Sequence, residues 1–268
     1  MKPIPVLGIP HLNQRDLLLR CIRSIDYPVE MLVIVDNGRY ELSDSVLIQT
    51  AAGANAAIRC LCHIWHPNAG VAGSWNEVIK LFPADYWMLA NDDIQFTPGD
   101  LEKMVKAAED SNIQHSTLNI EHRIPNGAGM VYGNHGASWF AITRPGVEAV
   151  GLFDENLWPA YLEDCDWGYR ADLAGIRRVT VPDCHAIHGT ATDGADGTKG
   201  SRTVNSDPRL AEANMRTHGR NFEYYRAKWG GNNGEEKFQT PFNDPHWPIA
   251  YWRFDPLLRA KQMKEWEV

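Results

Sequence analysis

No run of about 18 consecutive apolar residues occurs in this chain of 268, so a membrane-spanning helix is not expected. A cleavable leader pattern is missing too. Met1-Lys2-Pro3-Ile4-Pro5 runs directly into a short apolar stretch, and a cytoplasmic location is the expectation. The five cysteines are an odd number without a Cys-x-x-Cys pair, which fits a reduced, cytosolic protein better than a disulfide framework. Gly-x-Gly-x-x-Gly and the P-loop lysine are both absent, which removes the common dinucleotide and ATP signatures. No internal repeat is found. A net charge of -8 excludes a uniformly basic nucleic-acid binder, though not a local basic patch. Tryptophan, by contrast, is abundant. Of ten, seven (Trp139, Trp158, Trp167, Trp229, Trp247, Trp252 and Trp266) follow residue 138. Flat aromatic faces suit sugar rings or unstacked bases, with core packing as the plain alternative.

The apolar pattern alternates between strand and helix. Val6–Ile9, Met31–Val35, Ile58–Trp65 and Asp85–Ala90 read as buried strands. Residues 14–24 carry apolar side chains at helical spacing, a helix capped by Ser74 is expected to run to Leu81, and Pro98-Gly-Asp opens another through Ala108. This order predicts an α/β, doubly wound and mainly parallel sheet. Further on, 129–132, 138–143 and 177–181 read as strands. Glu163 starts a short helix, 210–229 is helical, and a last helix begins at Pro256. The small, polar stretch 189–208 reads as a loop.

Candidate chemistry gathers after the strands, where open α/β sheets bind ligands. Asp36, in Asp36-Asn-Gly, can accept hydrogen bonds from a base or ribose, or simply form a turn. Asn68-x-Gly70-x-x-Gly73-x-x-Asn76 allows close backbone approach to a ligand before a helix N-terminus. In Asn91-Asp92-Asp93 the two acids point to opposite faces, so one can reach a divalent cation and the other a ribose; a strand-end turn is the alternative. Glu163-Asp164-x-Asp166 sets three acids among Trp158, Trp167 and Arg170, and such acids repel one another unless a cation or a proton intervenes. His188 precedes the polar loop, and a neutral imidazole there could complete a metal site.

Taken in order, Asp36-Asn-Gly, Asn68-x-Gly-x-x-Gly-x-x-Asn76, Asn91-Asp-Asp93, Gly151-Leu-Phe-Asp-Glu155, Glu163-Asp-x-Asp166 with Arg170, and His188-Gly189 resemble the family 2 glycosyltransferases, in particular the rhamnosyltransferase-like branch. The resemblance covers residues 4–190. It implies a GT-A fold, with a Rossmann-like, mostly parallel sheet flanked by helices and a helical or irregular C-terminal extension. The implied division is a catalytic domain over 1–208 (nucleotide-sugar half 1–110, acceptor half 111–208) and an extension over 209–268. Lys228-Trp229-Gly-Gly and Thr240-Pro241-Phe242 resemble an extension of some phage and bacterial members.

The resemblance also implies roles. Pro10, Asp36, Asn68, Gly73, Asn76, Asn91 and Asp92 would bind the nucleoside-diphosphate-sugar donor, with Asp92 on ribose or metal. Asp93 and His188 would hold Mn²⁺ or Mg²⁺. Asp164 would be the base of an inverting transfer, with Trp158, Glu163, Trp167 and Arg170 around the acceptor. Two positions differ from the family pattern: His11-Leu12 replaces a base-stacking tyrosine, and Asn91 replaces the first acid of the DxD motif. Loop 189–208 is expected to close over the donor. The expected acceptor is a hydroxyl of a glycan or of a hydroxymethylated base in DNA. For DNA, Arg209, Arg216, Arg220, Arg226, Lys228, Arg259, Lys261 and Lys264 would line a basic strip. A nucleotidyltransferase and a non-catalytic carbohydrate-binding protein are the rival readings.

Overall fold

A computed structural model describes residues 2–38, 42–116, 128–189, 208–250 and 255–266. Four strands, β1 (Ile4–His11), β2 (Val29–Asp36), β3 (Ile58–Trp65) and β4 (Tyr86–Ala90), are parallel neighbours in the order β3-β2-β1-β4. Each is a short apolar run closed by a polar turn, so all four carboxyl ends fall on one edge of the sheet. The first three ends are aligned by register, His11 beside Asp36 and Asp36 beside Trp65.

Beyond β4 the mostly parallel sheet, as expected from the sequence, takes in an antiparallel hairpin. A two-residue β5 (Ile94–Gln95) leaves the main sheet, and β6 (Ala128–Gly133) and β7 (Gly136–Thr143) form a hairpin whose second strand runs antiparallel to β4. β8 (Arg177–Thr180) closes the far edge parallel to β6, giving seven strands in the order β3-β2-β1-β4-β7-β6-β8. A separate two-stranded sheet pairs β5 with β9 (Ile187–His188).

Helices cover both faces. On one lie α1 (Arg15–Arg23), α2 (Asp44–Ala52) and α4 (Asp100–Ser116), packing Leu18, Ile22, Leu47, Leu101 and Met104 against Leu32, Ile34 and Met88. On the other lie α3 (Gly70–Leu81), α5 (Arg144–Val150) and α6 (Glu163–Leu173), packing Trp75, Val78, Val150 and Trp167 against Val33, Leu89 and Phe140. Alternate residues of β2, β4 and β7 enter opposite cores, as a sheet buried on both faces requires.

α3 corrects the sequence reading: it starts at Gly70, and Ser74 is not its cap. Ser74 is buried one turn in, donating its hydroxyl to the Gly70 carbonyl at 2.7 Å. Gly70 has φ +73°, and a Cβ there would lie 2.6 Å from Trp158 Cδ1 and 2.7 Å from the Pro159 carbonyl oxygen, so only glycine fits.

The C-terminal part belongs to the same body. α7 (Pro208–Trp229) buries Tyr225 and Trp229 against Leu157 and Leu162, and α8 (Pro256–Trp266) follows. Arg259 of α8 donates to the carbonyls of Ala69 (3.2 Å) and Glu155, and its guanidinium lies 5.5 Å from the Trp158 ring centroid. Of the expected closing loop 189–208, residues 190–207 lie outside the described residues, as does Trp252.

Candidate active site

At the carboxyl edge Asp36 is buried, its Oδ1 accepting the Gly38 N–H at 2.8 Å and its Oδ2 3.3 Å from His63 Nε2. The other nitrogen of His63 meets Asp44 of α2 at 2.7 Å. The neighbouring Asn37 ties β2 to α3 by donating to Ser74 Oγ (2.9 Å) and accepting from the Ala69 N–H (2.7 Å). Pro10 stands half-buried one residue before the end of β1.

The Asn68–Asn76 segment works mainly inward. Asn68, in the left-handed region at φ 54°, accepts the Gly70 N–H at 3.1 Å, and its carbonyl accepts the Trp158 indole N–H at 3.0 Å. Gly73 is buried against Ala69, where an added Cβ would sit 3.0 Å from the alanine Cβ. Asn76, fully buried, exchanges hydrogen bonds with the Phe153 backbone (2.9 Å each way) and donates to Glu155 Oε1 at 2.8 Å. These contacts seat the Gly151–Glu155 motif against α3.

Asn91-Asp92-Asp93 forms the turn after β4, the alternative offered by the sequence, and its two acids meet different partners. The Asn91 N–H donates to the Ser138 carbonyl at 2.8 Å, fastening the turn to β7. Asp92 Oδ2 lies 2.7 Å from His11 Nδ1 with both side chains buried, so Asp92 is spent on the end of β1 instead of standing free for ribose or metal. Burial pushes the Asp92 carboxyl up, and the His11 hydrogen bond pulls against that. Asp93 meets a different histidine. The β5–β9 register sets Ile94 beside His188, which brings His188 Nε2 to 3.2 Å from Asp93 Oδ1. This carboxylate raises the His188 imidazole above its ordinary value, against the opposing effect of burial. Arg20 of α1 clamps the arrangement, donating to the carbonyls of Asp93 (3.0 Å) and Gly189. Among the described residues no group of three or more His, Cys, Asp or Glu side chains gathers as a metal cage.

The acidic cluster separates into three environments. Asp166 is fully buried. It accepts from Arg170 Nε (2.8 Å) and the Trp229 indole N–H (2.8 Å), and Lys228 Nζ lies 2.7 Å away. Burial alone would push Asp166 up, but the Lys228 and Arg170 charges outweigh it and hold the carboxyl below its ordinary value. Lys228 is shared, lying 2.7 Å from Asp154 Oδ2, which also accepts the Tyr224 hydroxyl at 3.0 Å. Glu163 is buried with its Oε2 lacking a hydrogen-bond partner, and burial, followed by the adjacent Asp164 charge, raises it well above the ordinary range. Asp164 alone stays half-buried and accessible. The repulsion read from the sequence is thus relieved by cations at Asp166, while at Glu163 burial and the Asp164 charge favour the protonated form.

The turn before α6 is unusual. Tyr161 (φ 80°) and Leu162 (φ 74°) are consecutive left-handed residues, neither a glycine. Each conformation costs about 1–3 kcal/mol and persists only where the surroundings impose it.

The acceptor expectations need correction. Trp167 is 0% and Trp158 1% exposed, and Arg170 is 0% exposed, donating to the carbonyls of Val150 (2.7 Å) and Leu152 (2.8 Å) as well as to Asp166. Their rings and guanidinium are used up inside the protein, so these three position the site and offer no open face to an acceptor. The basic strip breaks up similarly: Lys228 points into the core, and Arg259 is drawn to backbone, its guanidinium lowered to about 10 by burial.

The family model for glycosyl transferase family 2 matches residues 7–156, more than half of the chain. The chain belongs to glycosyl transferase family 2. The sheet and helices described above are its GT-A fold. The match does not single out the rhamnosyltransferase-like branch. Among curated proteins none matches significantly. Of solved structures, the chain is similar to S. aureus TarS 1-349 at 12% identity and TM-score 0.47, covering 69% of this chain and 60% of that one. TarS 1-349 in complex with UDP matches at 12% identity and TM-score 0.48, covering 81% and 65%. Glucosyl-3-phosphoglycerate synthase from Mycobacterium tuberculosis, in complex with phosphoglyceric acid, matches at 13% and 0.48, covering 82% and 80%. The chain therefore spans less than two thirds of TarS.

Several residues that organise this family 2 site were given no role in the sequence reading. His11, Arg20, His63 and Asn221 come from elements distant in the chain, and their partners emerge only when the strands are in register. His11 alone carried a signal, as the residue standing at the strand end where the family pattern has an aromatic.

Proposed function

We propose that this family 2 member transfers a sugar from a nucleoside-diphosphate sugar to an acceptor hydroxyl with inversion, Asp164 serving as the base. The observation that carries this reading is the sorting of the acidic cluster: Asp166 is buried and paired, Glu163 is buried and held towards its neutral form, and Asp164 alone is accessible. The carboxylate of Asp164 takes the acceptor's hydroxyl proton as that oxygen bonds to the anomeric carbon. The bond from that carbon to the diphosphate oxygen breaks, and the diphosphate leaves with the electron pair. Burial and the Asp164 charge both push the neighbouring Glu163 carboxyl up, which disfavours a second negative charge beside the base.

Asp93 and His188 fit a divalent cation. A carboxylate oxygen and an imidazole nitrogen converge at 3.2 Å beside the donor edge, and such a pair suits Mn²⁺ or Mg²⁺ completed by phosphate oxygens. A cation held there supplies positive charge against the leaving diphosphate. In this reading Asp36, its orientation fixed by Gly38 and His63, would contact the donor's base or ribose. For the acceptor we favour a glycan hydroxyl over modified DNA, because Lys228 and Arg259 turn inward and the basic strip is not continuous. No helix among the described residues is long and apolar enough to cross a membrane.

The test is turnover on a panel of UDP-, dTDP- and GDP-sugars with Mn²⁺. Release of nucleoside diphosphate, lost in Asp164→Asn while nucleotide binding persists, is the expected result. Release of pyrophosphate instead would mean a nucleotidyltransferase, and sugar binding without turnover a carbohydrate-binding protein. Acceptor binding that falls steeply with salt would return the acceptor to DNA.

A further inference from the structure

We propose that Asn221, on a helix beyond the family-matched segment, is a positioning residue for Asp164, so that α7 is part of the catalytic apparatus. The proposal rests on the reading of Asp164 as the base.

Asp164 is the second residue of α6, and the helix starts directly after the left-handed pair Tyr161–Leu162. Local sequence does not favour that backbone, since neither residue is glycine, asparagine or aspartate. A neighbour must impose it. The neighbour is α7. The buried side-chain amide of Asn221 donates to the Ala160 carbonyl at 2.8 Å and reaches the Tyr161 carbonyl at 3.4 Å. One turn earlier on α7 the His218 ring packs on the Tyr161 ring with centroids 4.7 Å apart, and Asn214 Nδ2 lies 3.4 Å from the Tyr161 hydroxyl.

The same helix grips the chain again just past the base, where Lys228 and Trp229 hold Asp166. Asp164 therefore sits between two anchor points, both supplied by α7. Asn221 is the anchor on the irregular side, where helical hydrogen bonds cannot set the backbone. The family match ends at residue 156, before the turn and before α7. A general base must meet the acceptor oxygen at hydrogen-bond distance, and a displacement of about 1 Å can cost on the order of 100-fold in rate.

The experiment compares the full-length wild type with Asn221→Leu, which removes the donor while keeping the bulk, and with Asn221→Ser, which keeps a shorter donor. Hydrogen exchange is read first, without substrate. The expected result in Asn221→Leu is faster exchange in peptides covering 158–168 with β1, β2 and β4 unchanged. Transfer is then read on the panel sugar that the wild type turns over. The expectation is a kcat lower by about 10–100-fold at an unchanged donor KM, with Asn221→Ser in between. Val105→Ala, in the opposite core, controls for lost stability and should keep its kcat.

Unchanged exchange at 158–168, wild-type kcat in Asn221→Leu, or parallel losses of kcat and KM shared by Val105→Ala would each overturn the proposal. If Asn221→Leu does not fold, Asn221→Ser is read against the same criteria. If Asp164→Asn transfers like the wild type, the base reading fails by itself, and the exchange data still report whether Asn221 holds the turn.

Discussion

Lys228 Nζ lies 2.7 Å from Asp166 Oδ1, and neither side chain is open to solvent. The lysine belongs to α7 and the aspartate to the acidic helix α6, so a single buried ion pair joins the C-terminal part to the candidate base site. Because Lys228 also neutralises Asp154, its replacement leaves two buried carboxylates short of a cation. Lys228→Met is expected to destabilise the fold by about 3–5 kcal/mol, the usual cost of breaking a buried pair. Urea unfolding measures this, and a loss below about 1 kcal/mol would contradict the buried pairing.

Asp166 and Glu163 should respond to pH with opposite signs. The Lys228 and Arg170 charges overcome the upward push of burial and hold the Asp166 carboxyl low. Its contribution is thus fully present above the unfolded value of about 3.9 and lost as pH falls through the lower folded value. Glu163 is raised by burial and by Asp164. Its contribution is full below the unfolded value of about 4.3 and lost as pH rises through the folded one. Glu163→Gln, which mimics the protonated acid, should flatten the loss above that range and raise the melting temperature at pH 8. A lower melting temperature at pH 8 would show that Glu163 is held ionised.

Asp93→Asn and His188→Ala are each expected to weaken Mn²⁺-dependent binding of a nucleoside diphosphate by at least about tenfold. Calorimetry with and without Mn²⁺ measures it. Asp92→Asn should instead disturb the end of β1, since Asp92 is bonded to His11. If Mn²⁺ dependence vanished in Asp92→Asn and survived in Asp93→Asn, the two roles would have to be exchanged.

Gly70→Ala places a Cβ within 2.7 Å of both Trp158 and Pro159 at a positive φ. A loss of more than about 1 kcal/mol follows from the backbone conformation alone. A thermal melt equal to wild type would show that the α3 entrance relaxes freely.

The parallel half of the fold was legible because each strand is an apolar run stopped by a turn, and those stops mark the ligand edge: Asp36, and Asn91 to Asp93. The start of α3 was not legible. Asn68 to Gly73 has loop composition, yet the Val71 N–H is bonded to the Pro159 carbonyl at 2.7 Å, and the helix starts under that distant segment. α2 also went unread, because only Leu47 and Thr50 of its nine residues are buried and the pattern is faint. In the site, the acidic cluster was found but its division was not. Which carboxylate is accessible depends on Lys228, Arg170 and Trp229, and two of those lie on a different helix. The tryptophan excess pointed to acceptor stacking, whereas Trp139, Trp158, Trp167 and Trp229 are core residues.

The bond from Lys228 to Asp154 spans 74 residues, and that from Trp229 to Asp166 spans 63. Two carboxylates destined for burial therefore draw their cation and indole partners from residues more than sixty positions later, all on α7. The acidic turn is complete only with that helix docked. A chain lacking α7 is expected to keep the order of its parallel strands and to lose the fixed turn before α6.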